Sequence, residues 1–92
     1  MSYTLKLKHV RPYFRNGDRE TEFASLGEKV FKTRKAATEW IASNMKSKNC
    51  VKTSYTKFSS HEWWVGVTNK TWFNEGTGET DQEQFQYSLY KN

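Results

Sequence analysis

Cysteine is almost absent from this 92-residue sequence: Cys50 stands alone, so no disulfide can form within the chain and a zinc site built on several thiolates is excluded. That fits a reducing compartment. No apolar run approaches the roughly 20 residues needed to cross a bilayer. The opening Met1-Ser2-Tyr3-Thr4 lacks the basic-then-apolar order of a secretory signal, so a cytoplasmic protein with no membrane partner is expected. Leu, Ile and Val are sparse, whereas aromatic residues make up 16% of the chain, and Phe, Tyr and Trp must supply much of the core. The length suits one core only, giving a single domain over residues 1–92.

Groups that do chemistry are equally few. His9, His61 and Cys50 fall in no catalytic or metal-binding spacing. Glu75-Gly76-Thr77-Gly78 lacks the lysine and the strand-to-helix setting of a phosphate-binding loop. Carboxylates gather near this acidic segment without a pattern that marks an acid/base pair. No catalytic residue, metal ligand, cofactor or small-molecule substrate is assigned, and the expected activity is binding, not catalysis.

Positive charge is plentiful and uneven. Residues 1–58 hold 13 Lys/Arg against 5 Asp/Glu, net +8, and residues 59–92 hold 2 against 5, net −3. A one-sided positive field is the footprint of a protein that docks on phosphate, although a lysine-rich solvated surface gives the same total.

Tyr3-Thr-Leu5-Lys6-Leu7-Lys8 alternates with period two, as a half-buried strand does, and is expected to end, bulge or lie at an edge around His9-Val10 and Pro12. Asn16-Gly17-Asp18 predicts a turn pairing Leu5–Phe14 with about Arg19–Leu26, and Gly27 is expected to break the second arm. Thr33 is placed to cap a helix running to about Met45, with Ala37, Trp40, Ile41 and Met45 on one face. Further strands are predicted over Cys50–Phe58, Glu62–Thr68, Thr71–Asn74 and Gln82–Tyr90. The fold is then α+β in the order β-β-α-β-β-β: an antiparallel sheet of four or five strands with one helix on one face.

Lys32, Arg34 and Lys35 straddle the helix start, where the dipole repels cations while free N–H groups favour phosphate; pairing of Lys35 with Glu39 is the alternative. Arg11, Arg15 and Arg19 bracket the first turn among Tyr13 and Phe14, the mixture of bidentate cations and rings that holds single-stranded nucleic acid, unless the rings are core. Lys46 and Lys48 are accounted for by the dipole at the helix end. Trp63 and Trp64 are adjacent and must point to opposite faces: one is core, the other a protein-contact anchor or part of a cluster with Tyr55, Trp72 and Phe73. The layout fits neither a ribonucleoprotein-type domain nor a double-stranded-RNA domain, both of which need further helices.

The short, basic, aromatic-rich chain, with a helix of pattern Phe31-Lys-Thr33-Arg-Lys-Ala-Ala37-Thr-Glu-Trp40-Ile41, resembles small bacteriophage proteins of the anti-CRISPR group that blocks the type I-F surveillance complex. The resemblance is one of overall character, without a signature motif. It implies a stoichiometric inhibitor, a monomer when free, acting in the cytoplasm of an infected bacterium. Its partner would be the Cas protein–guide RNA complex, bound on the backbone subunits near the guide so that target DNA cannot hybridise. A free-standing nucleic-acid-binding phage regulator and an inhibitor of an acidic host protein are the alternatives.

Overall fold

A computed structural model describes residues 1–15, 18–75 and 78–92; within them the side chains of 12–22, 74 and 79 lie outside the described residues. Five strands and one helix follow in the expected order: β1 (Tyr3–Arg15), β2 (Asp18–Phe31), α1 (Arg34–Ser47), β3 (Val51–Lys57), β4 (His61–Asn74) and β5 (Glu79–Lys91). They form one antiparallel sheet in the order β2-β1-β5-β4-β3, which puts the last strand at its centre.

Alternation decides which side chains meet the helix. Leu5 and Leu7 of β1, Phe85, Tyr87 and Leu89 of β5, and Trp64 of β4 are buried with Ala37, Ile41 and Met45 of α1, and Tyr3, Phe31, Trp40 and Cys50 pack around them. The aromatic share of this core matches the scarcity of aliphatics. The Tyr87 hydroxyl, buried at the sheet centre, donates to Asn44 Oδ1 at 2.7 Å and ties α1 to β5. Burial pushes this phenol well above its ordinary range.

Both helix ends are fixed locally. The Thr33 side chain accepts from the Ala36 N–H at 3.1 Å. At the other end Asn49 has φ 56°, the Asn49 N–H donates to the Lys46 carbonyl and the Cys50 N–H to the Met45 carbonyl. That is the Schellman arrangement, with asparagine in the left-handed position usually held by glycine.

Two expectations about the strands are corrected. β2 does not break at Gly27; it runs through to Phe31, and Gly27, at φ 116°, sits where the register with β1 shifts between Leu7 and Lys8. The irregularity is a bulge that takes in Leu26, so it lies earlier than His9. Likewise Glu62–Thr68 and Thr71–Asn74 belong to one strand, β4, because β5 is long enough to pair with both parts across a register shift between Val67 and Thr71.

Pairing of β1 with β5 spans Tyr3–Val10 and Gln84–Lys91 only. Beyond it Arg11–Arg15 pairs with β2 alone, and Thr71–Asn74 with β5 alone, so two hairpin arms leave the helix-covered body at the same end. The molecule is accordingly long, 50 × 22 × 21 Å. Among the described residues no helix is long and apolar enough to cross a membrane.

Candidate nucleic-acid interface

Between Lys29 and Lys57 the chain carries eight cations and one carboxylate, Glu39. These residues are the last turn of β2, the helix with its flanks, and the edge strand β3, so the cations form one layer on the helix side and its rim. Lys29 lies with its ammonium 5.1 Å from the Trp40 ring centroid, and Lys48 4.7 Å from that of Phe85. Lys32, Lys35, Lys46, Lys52 and Lys57 are exposed. On the β1–β2 arm Asp18, Glu20 and Glu22 are matched in number by Arg11, Arg15 and Arg19, whereas Glu75, Glu79, Asp81 and Glu83 stand on or next to the β4–β5 arm against Lys70 alone. The uneven charge of the sequence is therefore a separation of the basic helix layer from the β4–β5 arm.

The six cations singled out from the sequence do not converge. Lys32 and Lys35 are exposed beside the helix start, as expected for a phosphate contact. Arg34, at the first helical position, instead makes a bidentate pair with Glu62 of β4, Nε to Oε2 at 2.8 Å and Nη2 to Oε1 at 2.6 Å. Tyr55 Oη donates to the same carboxylate at 2.5 Å. The guanidinium hydrogen bonds hold the buried Glu62 carboxyl below its ordinary range, and the hydrogen bond to Glu62 raises the Tyr55 phenol. Arg34 thus serves first to pin the helix to β4. Arg11 is exposed on the β1–β2 arm, away from the helix start, and is not free of interactions. The side chains of Arg15 and Arg19 lie outside the described residues.

The tryptophans separate as adjacent strand residues must. Trp64 is 8% exposed, under the helix and 5.1 Å from the Tyr55 ring, which corrects its assignment as a contact residue. Trp63 is half-buried on the face without a helix. Trp72 lies on the arm, 5.2 Å below the Lys70 ammonium, outside any cluster with Tyr55.

At the helix start the structure brings Arg34 together with residues that the sequence did not single out as a site. A cleft of about 390 Å³ opens between the β3–β4 turn and the ends of β1 and β5, lined by Arg34, Lys57, Phe58, Ser59, Ser60, His61 and Lys91. The turn is closed by the Phe58 N–H donating to the His61 carbonyl at 2.8 Å. It stacks Phe58 on His61 at 4.5 Å and 18°, and His61 stacks on Tyr90 at 4.9 Å and 22°. The imidazole is held by its neighbours' faces; its Nδ1 is buried without a hydrogen-bond partner. The only sequence signal was Lys57-Phe58-Ser59-Ser60-His61, which reads as an ordinary polar turn until Tyr90 and Lys91 are brought beside it.

The chain matches no family model, no curated protein and no solved structure. Function must therefore be argued from this surface itself.

A second polar cluster lies past the helix end. His9 Nε2 is 2.7 Å from Glu83 Oε2, and Thr68 Oγ1 donates to Glu83 Oε1 at 3.1 Å. Burial pushes the Glu83 carboxyl up, but these two hydrogen bonds outweigh it and leave it below the ordinary range. The cluster joins β1, β4 and β5 where they leave the helix, and in it the Thr68 hydroxyl meets the carboxylate, not the imidazole. Among the described residues no three His, Cys, Asp or Glu side chains come together as a metal shell.

Proposed function

We propose that this protein works by binding, as a stoichiometric inhibitor that lays its basic helix layer on the phosphates of a ribonucleoprotein. The observation that carries this reading is the eight cations against one carboxylate between Lys29 and Lys57, gathered on one layer while the net negative charge stands on the β4–β5 arm. Such a separation does little for folding, since cations at a helix start oppose the dipole. It orients the molecule in the field of a polyanion and concentrates counterion release on one side. The resemblance to anti-CRISPR proteins supplies the target: the type I-F surveillance complex in the cytoplasm of an infected bacterium, where guide RNA and incoming DNA are both polyanions and a bound body near the guide obstructs hybridisation. Trp63, with the face of the sheet that has no helix, is the surface offered to a Cas backbone subunit.

The test is gel filtration of the purified protein with purified type I-F surveillance complex, followed by a target-DNA binding assay. Co-elution at fixed stoichiometry and loss of DNA binding are expected, and Lys32→Glu/Lys35→Glu/Lys46→Glu should abolish both while keeping the wild-type circular dichroism spectrum. Inhibition unchanged in that folded variant refutes the docking surface; binding of free nucleic acid with no inhibition moves the assignment to a phage regulator.

A further inference from the structure

We propose that the cleft between α1 and β2 takes one unpaired nucleotide of the bound nucleic acid, its base set between Leu26 and Trp40 and its flanking phosphates on Lys29 and Lys48. This rests on the reading of the helix layer as a polyanion contact and names what one part of that layer takes besides charge. The shape of the cleft is the first reason. Trp40, Asn44 and Lys48 recur every fourth residue, so they line one edge of α1 and its cap, and the buried Leu5 and Leu7 of β1 form the floor. The far wall belongs to β2, the strand at the sheet edge. There the bulge sets its extra residue, Leu26, upright and 49% exposed, and Gly27 beside it adds no side chain; a Cβ at that position would meet nothing within 4 Å. Trp40 falls on the buried stripe of the helix and yet stays only half-buried, because this open cleft is what it faces. At about 370 Å³ the space falls in the small-molecule range, roughly 300–1,000 Å³, and takes one unit of a strand.

Charge is the second reason. Both lysines line the cleft from the helix side of the sheet: Lys29 sits opposite Leu5 in the register, and Lys48 closes the helix. Each ammonium rests over a ring, Lys29 over Trp40 and Lys48 over Phe85, and the eight residues from Trp40 to Lys48 set these two anchor points about 12 Å apart along the helix. Neither lysine belongs to the ion pairs Lys6–Glu28, His9–Glu83 and Arg34–Glu62. Glu28, the carboxylate on the rim, is turned to the opposite face, where it meets Lys6 at 3.7 Å. Between the cations lies Asn44, whose Oδ1 is taken by the Tyr87 hydroxyl, so its amide enters the cleft with Nδ2 as a donor. Cations at both ends, apolar walls and a single amide donor between them match a base that carries a phosphate on either side and acceptors on its edge.

The experiment is an NMR titration of the wild-type protein with a short single-stranded oligodeoxynucleotide and with a strand of equal length built from abasic units, which has the same phosphates and no bases. The Trp40 indole N–H, the Asn44 side-chain amide and the backbone amides of Leu26–Lys29 are expected to shift with the first and to stay in place with the second. In anisotropy measurements Leu26→Ser should weaken binding of the oligonucleotide about fivefold, the worth of covering a half-exposed leucine, and leave the abasic strand's affinity unchanged. Leu26→Met should restore it. Lys29→Gln/Lys48→Gln should flatten the slope of log K against log salt by about 1.4. The same titration with an oligoribonucleotide tells by the tighter binding whether the strand taken is RNA or DNA. Equal shifts with the abasic strand, or oligonucleotide affinity untouched by Leu26→Ser, overturn the subsite and leave the polyanion contact standing. Shifts of these resonances raised by a peptide of alternating leucine and glutamate, and by no strand, make the cleft a peptide groove and overturn it as well. No binding of any strand by the protein alone overturns the subsite together with the polyanion contact.

Discussion

Glu62 is a carboxylate that the fold has enclosed: its side chain is 11% exposed, and Arg34 and Tyr55 take both its oxygens. Removing one partner of a fully enclosed pair costs about 3–5 kcal/mol, but the Arg34 side chain is 51% exposed and Tyr55 would stay, so Arg34→Ala should cost about 1–2 kcal/mol at pH 7. The pH dependence has a definite sign. Hydrogen bonding from Arg34 depresses the folded-state pKa of Glu62 below the unfolded value of about 4.3, so the stabilisation is complete above that value and lost as pH falls through the folded one. Urea unfolding of the wild type and Arg34→Ala should therefore show a gap at neutral pH that narrows as pH falls below the ordinary carboxylate range. A gap that stays constant as the carboxylates are protonated would mean the arginine acts by packing its stem and not by its charge. Arg34 also shows where residue-level reading of a sequence stops: nothing near it in the chain announces Glu62, which lies 28 residues away and reaches it only because β4 runs under the helix start.

Elements were the legible level. The helix was readable because its signals are local: Thr33 as a cap, and Ala37, Trp40, Ile41 and Met45 on one face, of which all but Trp40 are fully buried. Strand continuity was not, because whether Gly27 or the segment between Val67 and Thr71 breaks a strand depends on the length of the partner, β1 or β5, and no local pattern encodes that. The spacing between the helix and the sheet is set by another glycine whose role is equally hidden. A Cβ on Gly66 would lie 3.1 Å from Cys50 Cβ and 3.4 Å from Met45 Cε. The methionine end can swing away; Cys50 is held by the Schellman turn through its own N–H. Gly66→Ala should therefore lift the C-terminal turn of α1 from β4 and destabilise the domain by about 1–3 kcal/mol, an overpacking cost partly offset by the gain of a β-compatible residue. For a chain of this size that is a fall of several degrees in Tm, about 4–8 °C per kcal/mol, measurable by thermal denaturation. Gly66→Ala/Cys50→Gly should recover much of it, whereas an unchanged Tm in Gly66→Ala would show that the helix end is not seated on β4.

At the scale of the whole molecule the charge separation makes the two ends answer differently to salt. Exposed charges act over about 8 Å at physiological ionic strength, and the long dimension is 50 Å, so the acidic β4–β5 arm does not screen the basic body from a polyanion. It opposes binding through its own surface. Each lysine that meets a phosphate on a single strand releases about 0.7 of a counterion, so replacing Lys32, Lys35 and Lys46 with glutamine should flatten the slope of log K against log salt by about 2. Lys70 is the control: its ammonium lies over Trp72 on the β4–β5 arm, and Lys70→Gln should leave the slope as it was. Equal flattening by the arm and helix substitutions would mean that the partner senses only net charge, and the body-and-arm arrangement would then be a matter of solubility. A slope carried by the helix lysines alone would make the arrangement an orienting device, fixing which face of the sheet, with Trp63 on it, is turned away from nucleic acid and left for protein.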